Sequence, residues 1–497
     1  MKRAGILIAA ALLAGCSQQP KYVRGEVPVP PSWPVGDAYL RQSEAALPTV
    51  TYRDVFRDPR LQRIIDQALA NNRDLRIAAA NIVSARAQYR IQRADQFPQV
   101  DAGAGASFRD SGSGSGTTGT TTGTPTGTGT GTGTGTTVTT GSGFRDTYSA
   151  DIGVSAFEID LFGRVRSLSD AALNRYFATE AAARSVRLTL VADIAAAWVT
   201  YASDKSLLAI AEQTVASAGN SVRLTDARRE GGIAPRTDLR QAQLVLEQAK
   251  SDLAQQTTAL AQDVNALQLL VGAPVDAVLL PASIEQAETT LADLPAGVDS
   301  AVLLRRPDVV QAEYTLRAAN ADIGAARAAL FPRISLTALL GVASGGLTGL
   351  FDGGNFSYSV APSVDYPIFR AGAGRAGVTQ ARADRDAALA QYERAIQTAF
   401  REVADALARR GTIDAQAGAQ VRLVEAAADN YRLSEARYRG GIDTFLQSLD
   451  AQRSLYQAQR SLVGARLVRA TNRVDLYRRL GADNQLDASQ GAPQEIK

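Results

Sequence analysis

Arg432-Leu433-Ser434-Glu435-Ala436-Arg437-Tyr438-Arg439-Gly440-Gly441-Ile442 is the stretch whose reading decides the fold, and Arg223-Leu224-Thr225-Asp226-Ala227-Arg228-Arg229-Glu230-Gly231-Gly232-Ile233 is an earlier copy of it. Sliding residues 222–273 onto 431–482 needs no gap. It also pairs Ala242-Gln243 with Ala451-Gln452 and Gly272-Ala273 with Gly481-Ala482. The chain is an internal duplication. Each copy reads as two helices meeting at a Gly-Gly turn, because no proline occurs between Pro125 and Pro235 or between Pro367 and Pro493, and proline is what a helix interior tolerates least. Residues 166–230 and 375–438 are predicted as alanine- and arginine-rich helices, each about 100 Å long at about 1.5 Å per residue. Beyond the first turn, Leu239, Leu246, Leu253, Leu260 and Leu267 recur every seventh residue, with Ala242 and Ala249 in the companion position. That repeat predicts left-handed coiled-coil packing. Helices of this kind alone would also suit a structural stalk.

Strands between the helices argue for something else. Phe97-Pro98 matches Phe331-Pro332, and Asp74-Leu75 matches Asp308-Val309 at the same offset, so each half begins with a helix, then Phe-Pro, then a strand. Val100, Ala102, Ala104, Ala106 and Phe108 alternate with small or polar residues, as do Tyr148, Ala150, Ile152, Val154 and Ala156. The second half repeats this with Ile334, Leu336, Ala338, Leu340 and Val342, then with Phe356, Tyr358, Val360 and Val364. Four strands of about ten residues, apolar on one face, fit a transmembrane barrel. Four strands cannot close one, and an open edge in hydrocarbon leaves backbone groups unpaired. The chain is therefore expected to oligomerise, and three copies would supply twelve strands.

Residues 111–143, an uncharged Gly/Thr/Ser tract that cannot bury a core and is expected to be disordered, join the two strands of the first pair, and the short Gly-rich stretch 343–355 joins those of the second. Both loops should face outward at one end of the barrel, with the Gly-Gly turns at the far tip of the helices.

The N-terminus carries an address. Lys2-Arg3 and the apolar run to Gly15 form a signal peptide, too short to span a bilayer, ending in Leu13-Ala14-Gly15-Cys16. This segment resembles the bacterial lipobox, which would make Cys16 the lipidated first residue of the mature chain. The expected organisation is a signal peptide at 1–15, a proline-rich extended arm at 16–60, a first repeat at 61–273, an irregular connector at 274–304, a second repeat at 305–482 and a loose tail at 483–497.

Chemistry is narrowed by exclusion. The chain has no histidine and one cysteine, so Ser-His-Asp and Cys-His mechanisms and the usual zinc sites are ruled out. No enzymatic activity and no cofactor are expected. With 53 Lys+Arg against 50 Asp+Glu, charge gives no basis for nucleic-acid binding. Gly372-Ala-Gly374-Arg-Ala-Gly377 has the GxGxxG spacing, yet the strand before it alternates and contains Pro362 and Pro367. A dinucleotide site needs a buried parallel strand there. These glycines instead let the chain turn from strand to helix.

Together the lipobox, the Phe-Pro steps, Phe157-Glu-Ile-Asp-Leu-Phe-Gly163, Arg305-Arg306-Pro307-Asp308 and the two Gly-Gly-Ile tips resemble the TolC-like outer-membrane efflux factors, in their lipoprotein branch of OprM and NodT type. The resemblance implies a mainly α protein with a transmembrane β-barrel, a homotrimer with a twelve-stranded barrel and a tube of antiparallel coiled-coil helices in the periplasm. It implies an outer-membrane, lipid-anchored (palmitate-bearing) exit duct for small molecules in multidrug resistance, working with a periplasmic adaptor and an inner-membrane resistance-nodulation-division pump. A duct for a protein-secretion exporter, a passive porin and a structural stalk are the alternatives. The same likeness implies a gate just after the second turn, at Leu446, Asp450 and Arg453, with Asp238 after the first turn as a further member. Spacings of four and three residues do place the first three on one helix face. An ordinary solvated face worth a few tenths of a kcal/mol would look the same.

Overall fold

The computed structural model describes residues 18–26, 28–39, 51–109, 145–294, 300–481 and 483, leaving out the side chains of 109 and 145. Cys16, the signal peptide, the Gly/Thr tract 111–143 and the tail beyond 483 lie outside these residues. The described chain forms α1 (Tyr52–Val55), α2 (Pro59–Asn71), α3 (Arg73–Ala94), β1 (Val100–Arg109), β2 (Arg145–Glu158), α4 (Arg164–Glu230), α5 (Arg236–Val271), α6 (Ile284–Thr289), α7 (Pro307–Ala328), β3 (Arg333–Ser344), β4 (Phe356–Asp365), α8 (Ala373–Arg439) and α9 (Phe445–Leu480). The duplication is preserved residue for residue: α4 and α8 each have 67 residues, and α5 and α9 each have 36. Two compact units result, one holding the strands and one most of the helices.

In the first unit the strands form one antiparallel sheet in the order β1-β2-β3-β4. Its register lines up the apolar residues of all four strands on one face. Ala102 faces Ile152, Ile152 faces Leu340 and Leu340 faces Tyr358, while Val154, Ala338 and Val360 make the neighbouring row. The opposite face pairs Ser335 with Ser363 and Asp101 with Gly153. A period of two residues in sequence has become a continuous apolar surface.

One strand departs from the expected alternation. Ala156 was expected to continue the apolar face of Val154, but the register shifts between Val154 and Phe157, and Ala156 sits at φ 53°. It is the extra residue of a β-bulge; its N–H donates to Thr337 Oγ1 at 3.2 Å, and Phe157 takes the place opposite Leu336. Gly153 and Gly341 bring backbones together here: a Cβ at Gly153 would lie 2.3 Å from the Ala338 carbonyl oxygen.

The helical unit is built around a core that includes Trp198, Tyr477, Phe56, Leu61, Ile64 and Ile65, all fully buried. Asp58 caps α2 by accepting from Arg60 N at 2.8 Å, with Pro59 at the first helical position. The helical region from Leu61 to Phe97 is two helices, α2 and α3, parted at Asn72. That buried amide donates to the Leu270 carbonyl and accepts from Leu75 N. Gly272, at φ 72°, closes α5 against this corner, where a Cβ would meet the Asn71 carbonyl oxygen at 2.8 Å. Within the span read as an irregular connector lie α6 and two 3-10 turns. The heptad leucines of α5 are buried or half-buried along the whole helix, as a coiled-coil seam requires.

Where it is described, over residues 18–26 and 28–39, the proline-rich arm is bound along the helical unit. Arg24 forms a bidentate pair with Glu313 of α7 at 3.1 and 2.6 Å, the Pro20 carbonyl accepts from Asn320, and Trp33 stacks on Phe400 at 5.0 Å.

The Arg-Arg-Pro-Asp motif owes its place to Arg306. This guanidinium is one-tenth exposed and grips Asp308 at 3.1 and 2.7 Å, Glu402 of α8 at 3.0 Å and the Arg479 carbonyl of α9 at 2.7 Å. Burial works against its charge, and the two carboxylates outweigh burial and hold it above the usual arginine range.

Candidate functional site at the hairpin tips

Both helical hairpins turn in the same way. Gly232 and Gly441 adopt φ 73° and 72°, a left-handed conformation that only glycine adopts without cost. Ile233 N donates to Arg228 O at 2.8 Å and Ile442 N to Arg437 O at 2.9 Å, while Gly231 N and Gly440 N donate to Ala227 O and Ala436 O, both at 3.0 Å. Each helix thus ends in a Schellman motif that satisfies its last carbonyls. Ile233 and Ile442 project into solvent.

The tips are fastened together by residues that the sequence did not single out. Arg228 lies 4.8 Å over the Tyr438 ring and donates to the Tyr438 carbonyl at 3.2 Å. Tyr438 packs on Phe445 at 5.3 Å, and both are buried with Ala242 and Leu449. Arg437 bridges the second turn to Asp443; this hydrogen bond holds the Asp443 carboxyl below the usual range. Further along, Gln452 donates to Ser217 Oγ at 3.1 Å, and the Tyr456 hydroxyl donates to Asp252 at 2.7 Å. Alternation of buried aromatics and arginines along one helix carries no local signal for such cross-hairpin pairing.

On α9 the three expected gate residues follow this cluster. Leu446, Asp450 and Arg453 share one exposed face, opposite the buried Phe445, Ser448, Leu449 and Gln452. Among the described residues of one protomer, neither Asp450 nor Arg453 has an ion-pair partner. Asp238 sits half-buried in the first turn of α5, so the trio shares one face of α9 while Asp238 stands on the other helix.

An open four-stranded sheet with an uncovered apolar face, carried by a chain with two matched long helical hairpins, defines the TolC-like class of outer-membrane channel. The chain belongs to the outer membrane efflux protein family, whose profile matches residues 64–273 and 299–482. It is 44% identical over 479 residues to the probable efflux pump outer membrane protein TtgC of Pseudomonas putida, covering 96% of this chain and 94% of that one. It is 41% identical over 475 residues to outer membrane protein OprJ of Pseudomonas aeruginosa, at 96% and 94% coverage. The crystal structure of the open state of the MtrE outer membrane channel of Neisseria gonorrhoeae matches with a TM-score of 0.81 and 34% identity, over 95% of this chain and 100% of that one.

Proposed function

We propose that three copies of this chain form the outer-membrane exit duct of a tripartite efflux system, passing small molecules handed over by an inner-membrane resistance-nodulation-division pump through a periplasmic adaptor. The observation that carries this is the sheet: among the described residues β1 and β4 each pair on one side only, and the face holding Val100, Phe108, Phe356, Tyr358, Val360 and Val364 is exposed in a single chain. Backbone groups at such edges must be paired inside hydrocarbon. A neighbouring copy offers β1 to β4 and closes the barrel, with the apolar face toward lipid. The protein carries no catalysis; its work is conduction. Cys16 bears the lipid anchor, and the barrel keeps the protein in the membrane without it.

Complementation tests this directly. In a strain lacking the chain, expression of the wild type should restore resistance to small apolar toxicants, and Cys16→Ser should restore it as well while losing the acyl mass. Restored export of a secreted protein, with toxicant sensitivity unchanged, would overturn the efflux reading in favour of a protein-secretion duct.

A further inference from the structure

We propose that Asp204 of α4 and Asp263 of α5 share one proton, and that this carboxyl pair is a pH-responsive latch between the two arms of the first hairpin. Asp263 Oδ2 is buried and has no hydrogen-bond donor among the described residues. The neighbouring group is the Asp204 carboxyl, placed where a proton held by either carboxyl would bridge the two. Ionised carboxylates only accept hydrogen bonds, so two of them satisfy one another only when one carries a proton.

The second hairpin supplies an internal comparison. The slide that carries Gly231 onto Gly440 carries Asp263 onto Asn472 and Asp204 onto Ile413. Asn472 is buried and donates to the Ala406 carbonyl of α8 at 3.0 Å, and Ile413 is buried. One hairpin thus holds its arms with an amide donor that is present at every pH. The other has an aspartate at the same position, which donates only when protonated.

Among the described residues no cation forms an ion pair with either carboxyl. Tyr201 of α4 lies close enough to feel Asp263: burial, then the Asp263 charge, push its hydroxyl up. Glu285 and Glu288 of α6 are taken up by Arg466 and Arg469 of α9. Burial first, then the Asp204 charge, push Asp263 up to about 7, and burial raises Asp204 as well. The two titrate as one unit.

In the unfolded chain both carboxyls titrate at about 4. Between about 4 and about 7 the folded chain holds a proton that the unfolded chain has released, so stability falls as pH rises through this window. Above it both groups are charged and α4 and α5 repel.

Infrared difference spectroscopy of the detergent-extracted full chain, wild type minus Asp263→Asn, tests the pair. At about pH 5.5, where exposed carboxyls are ionised, a protonated-carboxyl carbonyl band should be present in the wild type and lost with a midpoint near neutral pH. Hydrogen exchange around residues 204 and 263, corrected for intrinsic rate, should speed up in the wild type across that midpoint and stay flat in Asp263→Asn. If Asp263→Asn does not fold, Asp204→Asn leaves a donor facing the remaining carboxylate and should abolish the same band. A midpoint at about 4, or the same pH dependence in wild type and variant, would overturn the latch.

Discussion

Replacing Arg306 by alanine is expected to lower the stability of the helical unit by about 3 kcal/mol, the low end of what breaking a buried ion pair costs. The low end applies because its partners are not equally buried: Asp308 is 43% exposed and can return to water, whereas Glu402 is 33% exposed and would be left beside an unpaired Arg479 carbonyl. Most of the cost therefore falls on Glu402. Arg306→Met with Glu402→Gln should recover part of the loss, since it removes the stranded charge and refills some of the volume. Guanidinium unfolding followed by helical circular dichroism checks both: the single substitution should lower the midpoint clearly, and the double should fall between it and the wild type. An unchanged midpoint for Arg306→Ala would mean that the network holds no net stability.

The second large effect is expected at the tips. Under threefold symmetry three copies each of Leu446, Asp450 and Arg453 would gather around the axis. Within one protomer Asp450 and Arg453 are exposed and unpaired, so their charges are free to meet those of neighbouring copies. Three aspartates repel unless a donor bridges them, and Arg453 is the cation on the same face. Asp450→Ala with Arg453→Ala should raise single-channel conductance in planar bilayers on the order of twofold by removing a ring of charged side chains from a constriction. Changes at Gln241 and Leu244, their counterparts after the first turn, should do less. The fastening cluster of Arg228, Tyr438 and Phe445 lies on the other side of α9, so the oligomer should stay intact. Equal conductance for double mutant and wild type would leave these residues as a solvated helix face.

Much of the architecture was legible because it is periodic. The Gly-Gly copies set the hairpins, the absence of proline permitted 67-residue helices, and strict alternation marked the four strands and the face that each contributes. What escaped was not periodic. The bulge at Ala156 changes which residue faces the apolar side, and nothing in an alternating run announces an extra residue. Asn72 breaks a helix because Leu270, 198 residues away, offers a carbonyl. At the candidate site, the glycines and the common face of Leu446, Asp450 and Arg453 followed from spacing, whereas the Arg228–Tyr438 contact and the Asp204–Asp263 pair depend on register between helices. That register is set by packing across the hairpins, which no single stretch of the chain contains.

The central claim is that one chain is a third of a barrel, and native mass measurement of the detergent-extracted protein tests it most directly. Edge strands β1 and β4 must each find a partner, so the account predicts a particle of three chains with full sheet content. A monodisperse single chain that keeps its sheet in detergent would contradict it.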